Sequence, residues 1–444
     1  MNLLRALRLD KKNKHQIISF VGSGGKTTAL FQLARQLQVK GQSSKVFVTT
    51  TTHLGTWQIK FSDHHTIAKS IDDLKNIPNE GVILITGEIE GEKVNLIDNN
   101  FLNWLHSYSK EQSIPLLIEA DGSRQKPIKS PAEHEPPIPG FSDIVIYVVG
   151  LSAIGKQLND ENVHRAEIFS QLTNLSLNES ITSDSIIKAI THPQGGLKNI
   201  PSHARKIVLL NQAHTPELQS VGGDMAKHLL NHFDSALVGS LHQDNFQTFE
   251  KTAGVILAAG DSTRFGSPKQ LLDWKGKPFV RHIVETALQA GLEPVLVITG
   301  IHHAEIESCL KDLPVEVIHN SNYKNGQSES IKLGIQSLPN NIGANIFLLA
   351  DQPQIPVEVI KALKERHSET LSPIIAPLVL EERRANPVLF DKDTFPDLLQ
   401  LTGDVGGRAI FDKHKVDYLP WHDDILIFDV DTKEDYERLK GLDV

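Results

Sequence analysis

The chain has 444 residues, of which 39% are hydrophobic, and this length suggests two or three globular domains. Its formal net charge of −9 gives no overall attraction to nucleic acid, so small anionic ligands would need local cationic loops. One cysteine, Cys309, excludes a disulfide framework and a cysteine-based metal site and predicts a cytoplasmic location. No apolar run approaches the ~18–20 residues of a membrane-spanning helix, so no membrane partner is expected.

The first predicted elements are a surface helix in residues 1–14 and a strand in residues 16–21. The strand leads into Gly22-Ser-Gly-Gly-Lys-Thr-Thr28, after which a helical apolar pattern begins. A strand, a glycine-rich loop and Lys-Thr at a helix start form the usual cradle for phosphate. The residues expected to bind a nucleotide here are Gly22, Gly24, Gly25, Lys26 and Thr27, with Thr27 also on Mg²⁺.

The loop differs from the common phosphate-binding pattern, which has a glycine six residues before the lysine. Phe20 occupies that position, so the loop has the shortened Gly-x-x-Gly-Lys-Thr form, similar to that of the Mur ligases. The alternative is a turn that caps the helix and binds nothing.

A predicted strand in residues 114–120 ends in Glu119-Ala-Asp121-Gly122. P-loop folds place a carboxylate that holds Mg²⁺ through water at such a strand tip, so Asp121 is the expected residue. An ordinary Asp-Gly turn is the alternative. The proline-rich residues 123–136 then predict either a binding loop or a solvated linker. The run from Thr49 to Thr52 predicts either phosphate contacts or ordinary strand residues.

These motifs, with Gly150-Leu-Ser-Ala-Ile-Gly-Lys156 and His192-Pro-x-Gly-Gly196, resemble the selenium-dependent hydroxylase accessory proteins over about residues 1–240. The resemblance implies a nucleotide in this domain and a link to molybdenum hydroxylases, one of which, in its apo form, is an expected partner. A GTPase-like guanine clamp would carry Asp where this chain has His214, so guanine specificity does not follow.

Residues 244–252 are polar and predict a linker between domains at residues 1–243 and 252–444. An apolar run at residues 253–259 predicts a buried strand, after which the chain stays irregular as far as Lys269. Loop amides with Arg264 and Lys269 suit a triphosphate, whereas the alternative is a strand–turn–helix link with solvated cations. The residues expected at the nucleotide are Leu257, Ala258, Ala259, Gly260 and Gly266.

Further strands are predicted at residues 294–299, 315–319, 346–350 and 425–430. Asp351 follows the third of them, at the strand end where open α/β sheets bind ligands, and it is the predicted Mg²⁺ residue. The fourth ends in Asp429-Val-Asp431-Thr432, and Thr432 is a predicted N-cap for the last helix.

The spacing of the loop, with Leu271-Leu-x-Trp-x-Gly-Lys-Pro278 after it, resembles the MobA-like nucleotidyltransferases, and among them the molybdenum cofactor cytidylyltransferases. The resemblance covers about residues 252–444. It implies that Gln327 and Ser328 line the nucleotide cleft and that Asp429 or Asp431 is the second metal residue. The predicted architecture is therefore α/β, with a P-loop-like parallel-sheet domain followed by a Rossmann-like nucleotidyltransferase domain.

The implied reaction transfers CMP from CTP to molybdopterin cofactor, with Mg²⁺ as cofactor and Arg264, Lys269 and Asp351 as catalytic residues. Related guanylyl enzymes tend to have Leu-Ala-Gly-Gly where this chain has Leu257-Ala-Ala-Gly260. Two alternatives stay open: transfer to another phosphorylated small molecule, and delivery of cofactor to an apo-molybdenum hydroxylase without catalysis.

Overall fold

A computed structural model of the chain describes residues 1–11, 16–39, 43–74, 77–122, 125–260 and 265–441. The chain divides into two compact units, Met1–Phe249 and Glu250–Val444. Each unit is α/β and is built around a sheet of buried, mostly parallel strands, as the sequence predicts. Within the described ranges, no helix is both long and apolar enough to cross a membrane.

The described residues of the first unit form a nine-stranded sheet. Its strands have the spatial order β9-β8-β7-β6-β1-β5-β2-β4-β3, and these neighbours are parallel except β8 and β9. In chain order they are β1 Ile17–Gly22, β2 Lys45–Thr50, β3 His64–Ile67, β4 Gly81–Thr86, β5 Leu116–Glu119, β6 Ile144–Gly150, β7 Arg205–Asn211, β8 Ser235–Ser240 and β9 Asn245–Phe249.

Helices cover the sheet of the first unit, and β1 shows why both faces are apolar. Ile17 and Val21 pack into the core on one face, whereas Ile18 and Phe20 pack into the core on the other. A parallel strand covered on both sides needs such a continuous apolar run. The helices are α1 Leu3–Ala6, α2 Lys26–Val39, α3 Asn99–Glu111, α4 Ala166–Thr173, α5 Ser183–Thr191 and α6 Pro216–Leu229.

Two predictions about this unit are wrong. The N-terminal helix is the single turn α1, and its Leu3 and Leu4 are buried in the core rather than lying on a surface helix. The predicted linker contains the strand β9, in which Phe246 and Thr248 are buried while their neighbours are more exposed. Polar residues alternate with the buried ones, so the segment has the composition of a linker although it is a strand with one buried face.

The described residues of the second unit form an eight-stranded sheet, in which the seven longer strands have the order β12-β11-β10-β13-β15-β14-β16 and the short strand Arg383–Arg384 pairs with β14. Strands β12, β11, β10 and β13 are mutually parallel, β14 and β16 are parallel, and β15 is antiparallel to both neighbours. The strands are β10 Lys251–Ala258, β11 Val295–Thr299, β12 Glu316–His319, β13 Ile342–Leu349, β14 Ile374–Val379, β15 Val388–Asp391 and β16 Val416–Trp421. The helices are α7 Phe279–Gln289, α8 His303–Leu310, α9 Gln327–Gln336, α10 Val357–Thr370, α11 Phe395–Leu398 and α12 Lys433–Lys440.

The predicted last strand at residues 425–430 is also wrong. Asp424–Ile427 is a 3₁₀ turn, begun by Asp423, whose carboxylate accepts a hydrogen bond from the Ile425 amide at 2.9 Å. The strand in this region is β16, an edge strand that tolerates Pro420. Thr432 is the N-cap of α12, as predicted, because its hydroxyl oxygen accepts from the Asp435 amide.

Candidate active site

A cleft of about 580 Å³ opens where β10 and β13 end. Open α/β sheets bind ligands at this edge, outside the carboxyl ends of their strands. Its walls include Leu257, Ala259 and Gly260 at the end of β10, Leu349, Ala350 and Asp351 at the end of β13, Gln270, and the segment before α9. The cleft thus joins segments that lie far apart in the sequence.

The residues at the end of β10 divide between the cleft and the core. Leu257, Ala259 and Gly260 line the cleft, and the Gly260 carbonyl accepts a hydrogen bond from Gln270 Nε2 at 2.8 Å. Ala258 is buried in the core, because successive strand residues point to opposite faces. Gly266 is exposed and is not among the cleft residues, and Arg264 lies outside the described residues.

Asp351 lines the cleft, and one cation and two more carboxylates that are not cleft residues lie close enough for their charges to act on it. Burial raises the pKa of Asp351; Lys269 opposes that increase, whereas Asp429 and Asp431 add to it. Lys269 Nζ lies 2.7 Å from Asp431 Oδ1, and Gln352 Nε2 donates to Asp429 at 2.6 Å. The structure therefore brings together four residues predicted to act on phosphate and metal.

The oxygen donors at Asp351 suit Mg²⁺ bound together with a substrate. Among the described residues no three His, Cys, Asp or Glu side chains are grouped closely enough to hold a metal ion. Mg²⁺ usually takes only one or two carboxylates and completes its shell with substrate phosphates and water. Asp351 with one of Asp429 and Asp431 fits that requirement, since all are oxygen donors.

The opposite wall begins at α9. Gly326 has φ +110°, and a Cβ there would lie 2.4 Å from the carbonyl carbon of Gly403. The Gln327 amide donates to Asp404 Oδ1 at 3.2 Å, and both residues line the cleft. Ser328 is buried, is not a cleft residue, and its hydroxyl has no hydrogen-bond partner in the described chain. Sequence reasoning missed Asp404, although Gly403-Asp404 has the composition of a loop.

The predicted phosphate loop of the first unit lies between β1 and α2. The Thr27 hydroxyl donates to Glu119 at 2.8 Å, and Lys26 Nζ lies 3.9 Å from the same carboxylate. Asp121 instead accepts from the Gly22 amide at 3.2 Å and pairs with buried Lys129. The carboxylate that faces Thr27 is therefore Glu119, which sequence reasoning left without a role.

The other polar stretches of the first unit have structural partners. The hydroxyls of Thr49, Thr50 and Thr51 donate to backbone carbonyls, which is the ordinary strand-end arrangement. In the proline-rich loop, Glu135 bonds to Lys129 at 2.7 Å and to Arg165 at 2.7 and 2.9 Å. The loop is thus held by ion pairs and is not a solvated linker.

Comparison with known proteins matches the two units to two families. Residues 18–167 match the family described as YqeC protein, and residues 254–418 match the MobA-like NTP transferase domain. The chain is 31% identical over 234 residues to Uncharacterized protein YqeC of Escherichia coli K12, covering 50% of this chain and 86% of that protein.

Two relatives match the second unit. Nicotine blue oxidoreductase of Paenarthrobacter nicotinovorans is 29% identical over 197 residues, covering 42% of this chain and 95% of that protein. Probable molybdenum cofactor guanylyltransferase of Bacillus mycoides is 32% identical over 142 residues, covering 31% of this chain and 66% of that protein.

The cleft, the fold and the transferase-domain match define a nucleotidyltransferase. The chain belongs to the YqeC family through its N-terminal domain, and that domain is joined to a MobA-like NTP transferase domain. The resemblance of the first unit to a known family and that of the second unit to the MobA-like nucleotidyltransferases are confirmed.

Proposed function

We propose that the second unit transfers CMP from CTP to the terminal phosphate of Mo-molybdopterin, releasing diphosphate. The product is the cytosine dinucleotide form of the cofactor, which molybdenum hydroxylases would receive in the cytoplasm. The observation that carries the proposal is that Asp351 lines the cleft while the charges of Lys269, Asp429 and Asp431 act on it from beside the cleft. A cation beside metal-binding carboxylates suits a triphosphate that loses diphosphate.

The reaction needs no protein nucleophile. A phosphate oxygen of molybdopterin attacks the α-phosphorus of CTP, a new P–O bond forms, and the bond from the α-phosphorus to the bridging oxygen breaks. That oxygen leaves with its electron pair on diphosphate. The acceleration would come from aligning two anions and neutralising their charge.

The residues that the sequence singled out in and beside the cleft have proposed parts in this step. Lys269 would exchange Asp431 for the departing diphosphate, with Arg264 as a second cation. Asp351, with Asp431 or Asp429, would hold Mg²⁺, which when bound supplies charge neutralisation at the phosphates. Leu257, Ala259, Gly260 and Gln327 would form the walls around the nucleotide.

A second candidate function, guanylyl transfer from GTP, differs from the proposal in the nucleotide base. The relative named as a molybdenum cofactor guanylyltransferase favours GTP. The sequence Leu257-Ala-Ala-Gly260 favours CTP, because related guanylyl enzymes tend to carry glycine where this chain has Ala259, a residue of the cleft wall.

Turnover of the full-length chain with Mo-molybdopterin, Mg²⁺ and each of the four nucleoside triphosphates tests the proposal. Diphosphate release and a dinucleotide product with CTP are expected. Turnover with GTP and none with CTP would overturn the cytidylyl assignment. Product formed with a sugar phosphate, and none with molybdopterin, would show that the acceptor substrate is another phosphorylated small molecule. Stoichiometric handover of cofactor to an apo-hydroxylase without diphosphate release would favour a delivery factor.

The metal assignment has its own test. Asp351→Asn should lower turnover at least about 100-fold, because metal-based charge stabilisation is worth several kcal/mol. Asp412→Asn removes an equal charge from an exposed position outside the cleft and serves as the matched control. Equal turnover of the two variants would remove Asp351 from the metal site.

A further inference from the structure

The first unit carries polar groups that the proposed transfer reaction does not use, at the junction of β1 and α2. Gly22, Gly24 and Gly25 there have φ of +87°, +77° and +123°. A Cβ on Gly24 would lie 2.3 Å from the Gly150 amide nitrogen, and one on Gly25 would lie 2.5 Å from Asn211 Nδ2. The loop is therefore pressed against the ends of β6 and β7, where only glycine fits.

The loop leads into the N-terminus of α2, a helix of 14 residues. The first amides of a helix have no partner within it and carry the positive end of its dipole, so they attract anions. Ser23, inside the loop, is 1% exposed, and its hydroxyl has no hydrogen-bond partner in the part of the chain that the structure describes. A buried unpaired hydroxyl is costly, which points to a ligand oxygen as its partner.

Two buried charges lie beside this loop. Lys26 is 3% exposed and Glu119 is 5% exposed, and their charged atoms are 3.9 Å apart. Both side chains are thus almost completely removed from water, which makes each buried charge costly. An anion on Lys26 and a cation on Glu119 would each offset the cost of burial.

Thr27 connects the loop to Glu119. Its hydroxyl donates to Glu119 Oε2 at 2.8 Å and accepts from Gln58 Nε2 at 2.8 Å. A hydroxyl and a carboxylate oxygen that already touch are the two protein ligands that Mg²⁺ takes beside a polyphosphate.

Asp121 lies nearby but is engaged elsewhere. Its carboxylate accepts from the Gly22 amide and from Lys129, whose ammonium also donates to the Gly122 carbonyl at 2.6 Å. Its charge is thus already paired, and it positions the loop. Asn211 is a second positioning residue, because it donates to the Gly24 carbonyl at 2.6 Å and accepts from the Leu241 amide at 3.0 Å.

We propose that Ser23, Lys26, Thr27 and Glu119 form a second binding site, which takes the polyphosphate of a nucleoside triphosphate together with Mg²⁺. Ser23 and Lys26 contact phosphate oxygens, and Thr27 and Glu119 face the cation. This site lies in the first unit and does not depend on the proposed transfer reaction.

Calorimetric titration of the full-length chain with ATP, GTP or diphosphate, each with Mg²⁺, tests this site. Hydrogen exchange measured by mass spectrometry locates each ligand. ATP or GTP should protect peptides that cover residues 22–29 and 116–122. Protection confined to the second unit would overturn the proposal. Diphosphate binding as tightly as either nucleotide would overturn the assignment to a nucleotide.

Variants separate the phosphate contacts from structural roles. Lys26→Met should weaken binding at this site at least about tenfold and remove the protection, as expected for a lost charge-assisted contact. Lys227→Met removes an exposed lysine of the same unit and is the control. Ser23→Ala should weaken binding about two- to tenfold. It should also raise the melting temperature of the unliganded chain, because the unpaired hydroxyl is gone.

The cation contact is tested by comparing two carboxylates. In the wild type, a chelator should weaken nucleotide binding; in Glu119→Gln, that dependence on Mg²⁺ should disappear. Asp121→Asn should keep the dependence, because its charge serves Lys129. Equal binding by wild type, Lys26→Met and Ser23→Ala would overturn the site, and loss of Mg²⁺ dependence in Asp121→Asn alone would move the cation to Asp121.

Discussion

Lys269 Nζ lies 2.7 Å from Asp431 Oδ1, so a cation proposed to receive diphosphate is paired with a carboxylate proposed for the metal. The Asp431 side chain is 73% exposed, and such a pair contributes little to stability. The ion pair instead positions Lys269, because it holds the ammonium beside the cleft before substrates bind.

Lys269→Met should therefore lower kcat/KM for CTP about 10- to 100-fold, because a charge-assisted contact to the leaving group is lost. The free energy of unfolding should change by less than about 1 kcal/mol. Lys361→Met, on the exposed face of α10, is the matched control for steady-state kinetics and urea denaturation. Equal kcat/KM in the two variants would contradict the role of Lys269.

Local patterns were sufficient to predict the central strands and the glycine-rich loop between β1 and α2. The strands β1, β10 and β13 each contain a run of mainly apolar residues, which is the pattern of a buried parallel strand. The position of Asp351 at the end of β13 was predictable for the same reason, since the apolar run at residues 346–350 leads to it.

The contacts that local sequence patterns could not predict are made between residues that lie far apart in the chain. Glu119 is the last residue of β5 and Asp121 follows two residues later. Lys129, from the proline-rich loop, pairs with Asp121, whereas Glu119 accepts from Thr27. Asp404 meets Gln327 across 77 residues of sequence, and no local pattern encodes that contact.

Lys129 is the centre of a buried ion-pair network, and its replacement should destabilise the first unit. Its side chain is 1% exposed and pairs with Asp121 and Glu135. Lys129→Met leaves two carboxylates without their ammonium, which should cost about 3–5 kcal/mol. Lys227→Met breaks an exposed pair with Asp224 and should cost at most about 0.5 kcal/mol. Hydrogen exchange of peptides from the first sheet measures both, and equal protection would contradict the prediction.

Glu135 in the same network predicts a pH dependence of stability. Burial would raise its pKa, but hydrogen bonds from Arg165 and Lys129 outweigh it and lower the pKa from 4.5 to about 2. A lowered pKa stabilises the folded state above the unfolded value and loses that effect as pH falls through the folded value.

The stability difference between wild type and Glu135→Gln should therefore be full above pH 4.5 and shrink as pH falls towards about 2. Urea denaturation across this range measures it. Glu133→Gln, an exposed neighbour, is the control. A stability difference that does not change with pH would show that Glu135 acts through neutral hydrogen bonds and packing, and not through its charge.

Gly326 lines the cleft and packs so closely against Gly403 that there is no room for a side chain. In Gly326→Ala, the new Cβ would meet the Gly403 carbonyl carbon at 2.4 Å and the Asp404 amide nitrogen at 2.6 Å. The wall must shift, and kcat/KM should fall at least about tenfold, because small misplacements in a site are costly.

Gly276→Ala is the matched control for that change. Gly276 has φ +81°, and a Cβ there meets no atom of the described residues within 4 Å. It carries backbone strain of about 1–2 kcal/mol without a clash. It should lower the free energy of unfolding and leave kcat/KM unchanged. Equal losses of turnover in both variants would mean that strain, and not the wall of the cleft, is responsible.

Base choice is predicted to depend on Ala259. The residue lines the cleft, and its carbonyl oxygen lies 2.7 Å from the position of a Cβ on Gly300, so the backbone there has little room to move. Ala259→Gly removes a methyl group from this wall and gives the Leu-Ala-Gly-Gly sequence that related guanylyl enzymes tend to carry. The kcat/KM ratio of CTP to GTP should fall about tenfold, the usual effect of one methyl group in a pocket.

Ala258→Gly is the matched control, because it removes the same methyl group one residue earlier, where it points into the core. It should lower the free energy of unfolding by about 1 kcal/mol and leave the ratio of CTP to GTP as in the wild type. Competition assays with both nucleotides present measure the ratio directly. A ratio that moves equally in the two variants would show that loosening β10, and not the shape of the cleft wall, controls which base is accepted.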